Sequence, residues 1–140
     1  MIGLVLSGVT AFPLEQELKF LCENLNQKTS LHQWIHETYE AVAYSNRVYP
    51  FLAYGTDWLA FAHLVIAVVF IGPIIDPVKN IWVIQFGIIA CLMVFPLAFI
   101  AGYYREIPVY WQLIDCSFGA LGIAFLYPIL KKIKVLETTS

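Results

Sequence analysis

Charge is scarce in this sequence. Lys, Arg, Asp and Glu make up 13% of its 140 residues, against about 25% in an average soluble domain. Eight basic residues against ten acidic ones leave a net charge of −2. Such a chain presents no basic footprint to DNA or RNA, which excludes a nucleic-acid partner. Cysteine is scarce too. Cys22, Cys91 and Cys116 are odd in number and far apart, with no CxxC and no mixed Cys/His spacing, which excludes a disulfide scaffold, a zinc ribbon and a thioredoxin-type site. The chain has no internal repeat and no low-complexity stretch. It carries no P-loop, dinucleotide-binding or EF-hand pattern. Ser117 lies two residues from Asp115 but has no GxSxG elbow around it. His36-Glu37 is not followed by a second histidine at zincin spacing.

Apolar length is plentiful. Hydrophobic residues make up 60% of the chain and aromatic residues 16%, with a mean hydropathy of +0.73. Three segments approach the roughly 20 residues that a spanning helix needs: residues 56–73, 81–104 and 109–130. Every backbone polar group inside a bilayer must be satisfied within its own segment, so these are expected as helices. Trp58, Trp82, Tyr103, Tyr104, Tyr110, Trp111 and Tyr127 lie near the span ends, as an aromatic belt requires. The short loops 76–80 and 105–108 imply antiparallel neighbours. The expected fold is an all-α membrane protein. It is an up-down bundle of three or four transmembrane helices, with one or two amphipathic helices on the outer face.

Residues 1–13 form a short apolar helix or half-span ended by Pro13, without the positive n-region of a signal peptide. Residues 14–55 supply the amphipathic part. Leu14, Leu18, Leu21 and Leu25 share one helical face, with Glu15, Lys19 and Glu23 opposite. A second helix is expected from a capping box at Ser30 and Gln33 to about Arg47, with Leu31, Trp34, Ile35, Thr38 and Val42 on its apolar face. The 131–140 tail holds Lys131, Lys132 and Lys134 against Glu137. Positive flanks stay in the cytoplasm, which places the C-terminus inside and residues 14–55 outside.

The stretches SGVTAFPLEQEL (7–18), YPFLAYGTDWLAFAHLVIA (49–67) and IPVYWQLIDCSFG (107–119) resemble a family of small bacterial multi-pass membrane proteins with no established activity. The resemblance covers most of the chain. It implies a bacterial inner-membrane protein and transfers no site residue.

Two constellations carry chemistry. His63 lies seven residues below Thr56, and Asp115 lies six below Val109, so both are expected about 9–10 Å from the outer interface. Pro96 falls at the matching level of the middle span and frees the Leu92 carbonyl. Asp57, Arg105 and Glu106 would line the mouth of this polar pocket. An ionisable group inside a span costs about 2.5–3.5 kcal/mol and marks a site by default. The pair would serve as a proton relay, a ligand anchor or an acid/base couple. The alternative is an interhelical hydrogen bond that fixes the bundle. The second constellation is His32, His36 and Glu40, stacked at i, i+4 and i+8 on one helix face. This spacing can hold zinc or copper, although a solvated polar face with two ordinary histidines is the reading to prefer.

Small residues at Cys116, Ala120 and Ala124, with Gly87, Cys91, Ala98 and Gly102, are expected to pack helices closely. Gln85 is expected to be buried in a helix–helix hydrogen bond. The functional expectation is a ligand- or ion-binding module, or a subunit of a membrane assembly. It would be embedded in lipid, as a homo-oligomer or with a partner subunit. The alternative is a membrane-embedded metal-dependent enzyme acting on a lipid or quinone, with no catalytic residue assigned.

Overall fold

A computed structural model describes residues 1–139, which are predominantly helical with no strand among them. The helices are α1 (Ile2–Ala11), α2 (Leu14–Asn24), α3 (Ser30–Val48), α4 (Ala53–Val69), α5 (Gly72–Ile75), α6 (Ile81–Tyr104) and α7 (Val109–Thr139). A 3-10 turn, Pro50–Leu52, leads into α4. Three stretches are long and apolar enough to cross a membrane: Pro50–Ile75, Ile81–Tyr104 and Val109–Thr138. Only 11%, 17% and 11% of their most apolar windows are buried. Apolar surface therefore dominates the outside of these helices, the reverse of a water-soluble core. The chain divides into two compact units, residues 1–68 and residues 69–140.

In the first unit, Pro13 lacks an N–H to continue the α1 ladder and separates α1 from α2. Gly8 packs on α4. A Cβ there would lie 2.9 Å from both the Ala60 carbonyl oxygen and the Leu64 side chain, and Ala60 is fully buried. α2 and α3 form an antiparallel hairpin around Leu18 and Ile35, which are buried. The connecting loop is held by Asn26. Its side chain accepts from the Lys28 N–H at 3.1 Å, and its carbonyl accepts from the Thr29 hydroxyl at 2.8 Å. The cap of α3 is Thr29, whose side chain accepts from the His32 N–H. The expected capping box is thus displaced by one residue, and Gln33 instead donates to Glu37 one turn along at 3.2 Å.

In the second unit, α6 and α7 form a long antiparallel hairpin. Gly102 faces Gln112 near the turn, Gly119 and Gly122 face Cys91, and Gly87 faces Leu126 near the far end. The turn is a Schellman motif. The Ile107 N–H donates to the Gly102 carbonyl at 2.9 Å, and the Glu106 N–H to Tyr103 at 3.4 Å. Glu106 takes the left-handed position (φ 54) that glycine usually fills. Before α6, the Lys79 backbone N–H donates to Asp76 at 3.0 Å, and the Lys79 ammonium sits 3.0 Å from the same carboxylate. Backbone hydrogen bond first, ammonium second, they hold the Asp76 carboxyl below its usual range. Asn80 closes the loop onto the Gly72 and Asp76 carbonyls.

Three expectations change. Gln85 is exposed; the buried glutamine is Gln112, which donates to the Ile107 carbonyl at 2.7 Å. The small-residue stripe of α7 is Cys116, Gly119 and Gly122, whereas Ala120 and Ala124 face outward. α7 also runs through the lysines to Thr139 rather than stopping near Leu130.

Candidate functional site

Polar chemistry concentrates in the first unit, where the antiparallel α2–α3 hairpin returns the end of α3 to the start of α2. Asn46 donates to the Glu15 carboxylate at 2.7 Å, across 31 positions of sequence. Beside this pair lies a cavity of about 280 Å³, close to the lower end of small-ligand pockets. Its polar lining is Glu15, Gln16, Ser45, Asn46, Thr56 and Asp57, and its apolar wall includes Phe12, Val42 and Leu52. Glu15, Asn46 and Asp57 are each half-buried. The cavity holds two carboxylates and no cationic side chain among its lining residues. A negative, partly desolvated concavity focuses field lines and attracts cations.

Asp57 is the one residue of the expected polar pocket that lines this cavity. Glu15 and Asn46 were not anticipated as partners. The signal available for them was the short loop after Asn24, which brings the start of one helix to the end of the next. Glu15 also sits on the expected solvent face of α2, yet it is half-buried whereas Lys19 and Glu23 are exposed.

His63 lies ten residues along α4, about 15 Å from its start. The helix begins at Ala53 rather than Thr56, which places the histidine near the middle of the Pro50–Ile75 stretch. Its Nδ1 lies 2.8 Å from the Leu59 carbonyl. A carbonyl only accepts, so Nδ1 carries the proton, and in the neutral ring Nε2 is the acceptor. Asp115 belongs to the second unit, six residues and about 9 Å along α7. It is half-buried, about one turn beyond Gln112. Pro96 interrupts α6. Arg105 and Glu106 are exposed in the turn between α6 and α7.

On α3, the His32 and His36 rings stack with centroids 6.1 Å apart and 29° between planes. His32 Nε2 donates to the Cys22 carbonyl at 3.1 Å, which ties this histidine to the α2–α3 hairpin. Glu40 is exposed one turn beyond His36. Among the described residues, no group of three or more His, Cys, Asp or Glu side chains is placed to hold a metal ion. Comparison with protein-family models, curated proteins and solved structures finds no match to this chain.

Proposed function

We propose that the chain is a multi-pass membrane protein whose three long apolar helices span a bacterial inner membrane, with the C-terminus in the cytoplasm. On this reading α2 and α3 lie at the outer face, and the protein acts as a ligand-binding module or subunit of a membrane assembly. Lipid, a second copy or a partner subunit would cover the apolar surface. The outward exposure of Leu59, Val68, Leu97 and Phe125, each more than half exposed, supports the membrane part. The cavity carries the binding part.

Its chemistry favours a small organic cation. Glu15 and Asp57 supply charge, Asn46, Ser45 and Thr56 supply hydrogen-bonding groups, and Phe12, Val42 and Leu52 supply apolar contact. A bare divalent ion seeks six or more oxygen ligands in a tighter shell. An ammonium group with a short hydrocarbon body uses both halves of the lining.

Thermal unfolding of the purified protein in detergent tests this, with n-butylammonium chloride as the probe and n-butanol and sodium chloride as comparisons. The expected result is a saturable rise in Tm with n-butylammonium alone, corresponding to about 2.7 kcal/mol at a hundredfold excess over Kd. Asp57→Asn combined with Glu15→Gln is expected to abolish the rise. An equal rise with sodium chloride, or a rise that survives both substitutions, would overturn the assignment.

A further inference from the structure

The end of α7 carries a feature that orientation alone does not use. The helix has 31 residues, about 46 Å at 1.5 Å per residue. The hydrocarbon core of a bilayer is about 30 Å thick. A helix entering at Val109 emerges near Ile129 and keeps nearly three further turns. Those turns hold Lys131, Lys132 and Lys134, all exposed, while Ile133 is buried at 4%. Helical geometry at 100° per residue sets the three lysines on an arc opposite Ile133, on either side of Val135, which is 63% exposed. The Lys131 ammonium sits 4.8 Å from the centroid of the Tyr127 ring, which holds it where an interfacial aromatic belongs. Lys79 lies before α6, at the same end of the hairpin, and is already paired with Asp76. Glu137 is the one acid among the turns that follow Leu130.

We propose that this end of α7 is a contact for acidic phospholipid, in which Lys131, Lys132 and Lys134 engage phosphate-bearing headgroups. The inference rests on the membrane reading and adds a headgroup preference to it. Three ammonium groups on one arc at headgroup depth match an anionic leaflet in charge and in geometry. Lysine stems also reach toward the interface while their methylenes cover apolar surface.

Native mass spectrometry of the full-length protein in detergent, titrated with dioleoyl phosphatidylglycerol or dioleoyl phosphatidylcholine, reads this preference directly. The wild type is expected to bind phosphatidylglycerol roughly tenfold or more tightly, given about a fivefold gain per lysine near an anionic surface before screening by salt. The Lys131→Gln/Lys132→Gln/Lys134→Gln variant is expected to bind both lipids alike. A Lys19→Gln/Lys28→Gln variant, which removes the same sign of charge from α2 and the loop after it, is expected to keep the preference. Equal binding of the two lipids by the wild type, or an unchanged preference in the triple variant, would overturn the inference while leaving the membrane reading standing. Failure to retain either lipid would overturn both.

Discussion

Arginine in place of Met93 is expected to destabilise the bilayer-reconstituted protein by about 2.5–3.5 kcal/mol, the cost of that charge at the centre of a span. Met93 lies near the midpoint of α6 and is 64% exposed. An exposed position on a water-soluble helix tolerates the same change to within about 0.5 kcal/mol. The two environments therefore give opposite results at one residue. The measurement is unfolding in lipid bicelles, with Met93→Leu as the size-matched control, which is expected to be neutral. A Met93→Arg variant as stable as wild type would mean that this face of α6 meets water.

Valine in place of Gly119 is expected to cost about 3 kcal/mol, the upper end of overpacking penalties. A Cβ at Gly119 would lie 2.8 Å from the Cys91 carbonyl oxygen. Backbone cannot rotate aside as a side chain can, so the helices must separate. Gly122 meets the Cys91 thiol instead, a neighbour that can be removed. Gly122→Ala alone is expected to destabilise by about 1 kcal/mol. Combined with Cys91→Ala, it is expected to lose most of that penalty, giving a coupling energy of at least about 0.5 kcal/mol in a double-mutant cycle. Equilibrium unfolding of the four proteins measures it. Strict additivity would contradict the close approach of α6 and α7 at this level.

The sequence made the helical class and the long apolar segments legible because each segment is predominantly apolar over about 18 residues or more. That same apolar character hid the packing phase. With apolar residues all round α6 and α7, periodicity does not say which side meets the partner helix. Cys116, Ala120 and Ala124 were as good a stripe by spacing as Cys116, Gly119 and Gly122, and Gln85 was as good a buried amide as Gln112. The glycines decide the interface, because only they let a backbone carbonyl come within van der Waals distance. The end of α7 was misjudged for a different reason. Pro128 removes one hydrogen bond without stopping the helix, and the lysines after it are good helix formers. The cavity was only partly legible. Asp57 was visible as an acid near a helix start, whereas Glu15 and Asn46 become neighbours only when the hairpin closes.

On the proposed topology the chain crosses the membrane an odd number of times between its amphipathic helices and its lysine-rich end. Single cysteines at Glu23 and Glu137, both exposed, test it in a Cys22→Ser background, because Cys91 and Cys116 lie at the α6–α7 contact. Spheroplasts are treated with a membrane-impermeant maleimide before and after permeabilisation. The expected result is labelling of Glu23→Cys in intact spheroplasts and of Glu137→Cys only after permeabilisation. Equal labelling of both positions before permeabilisation would contradict it.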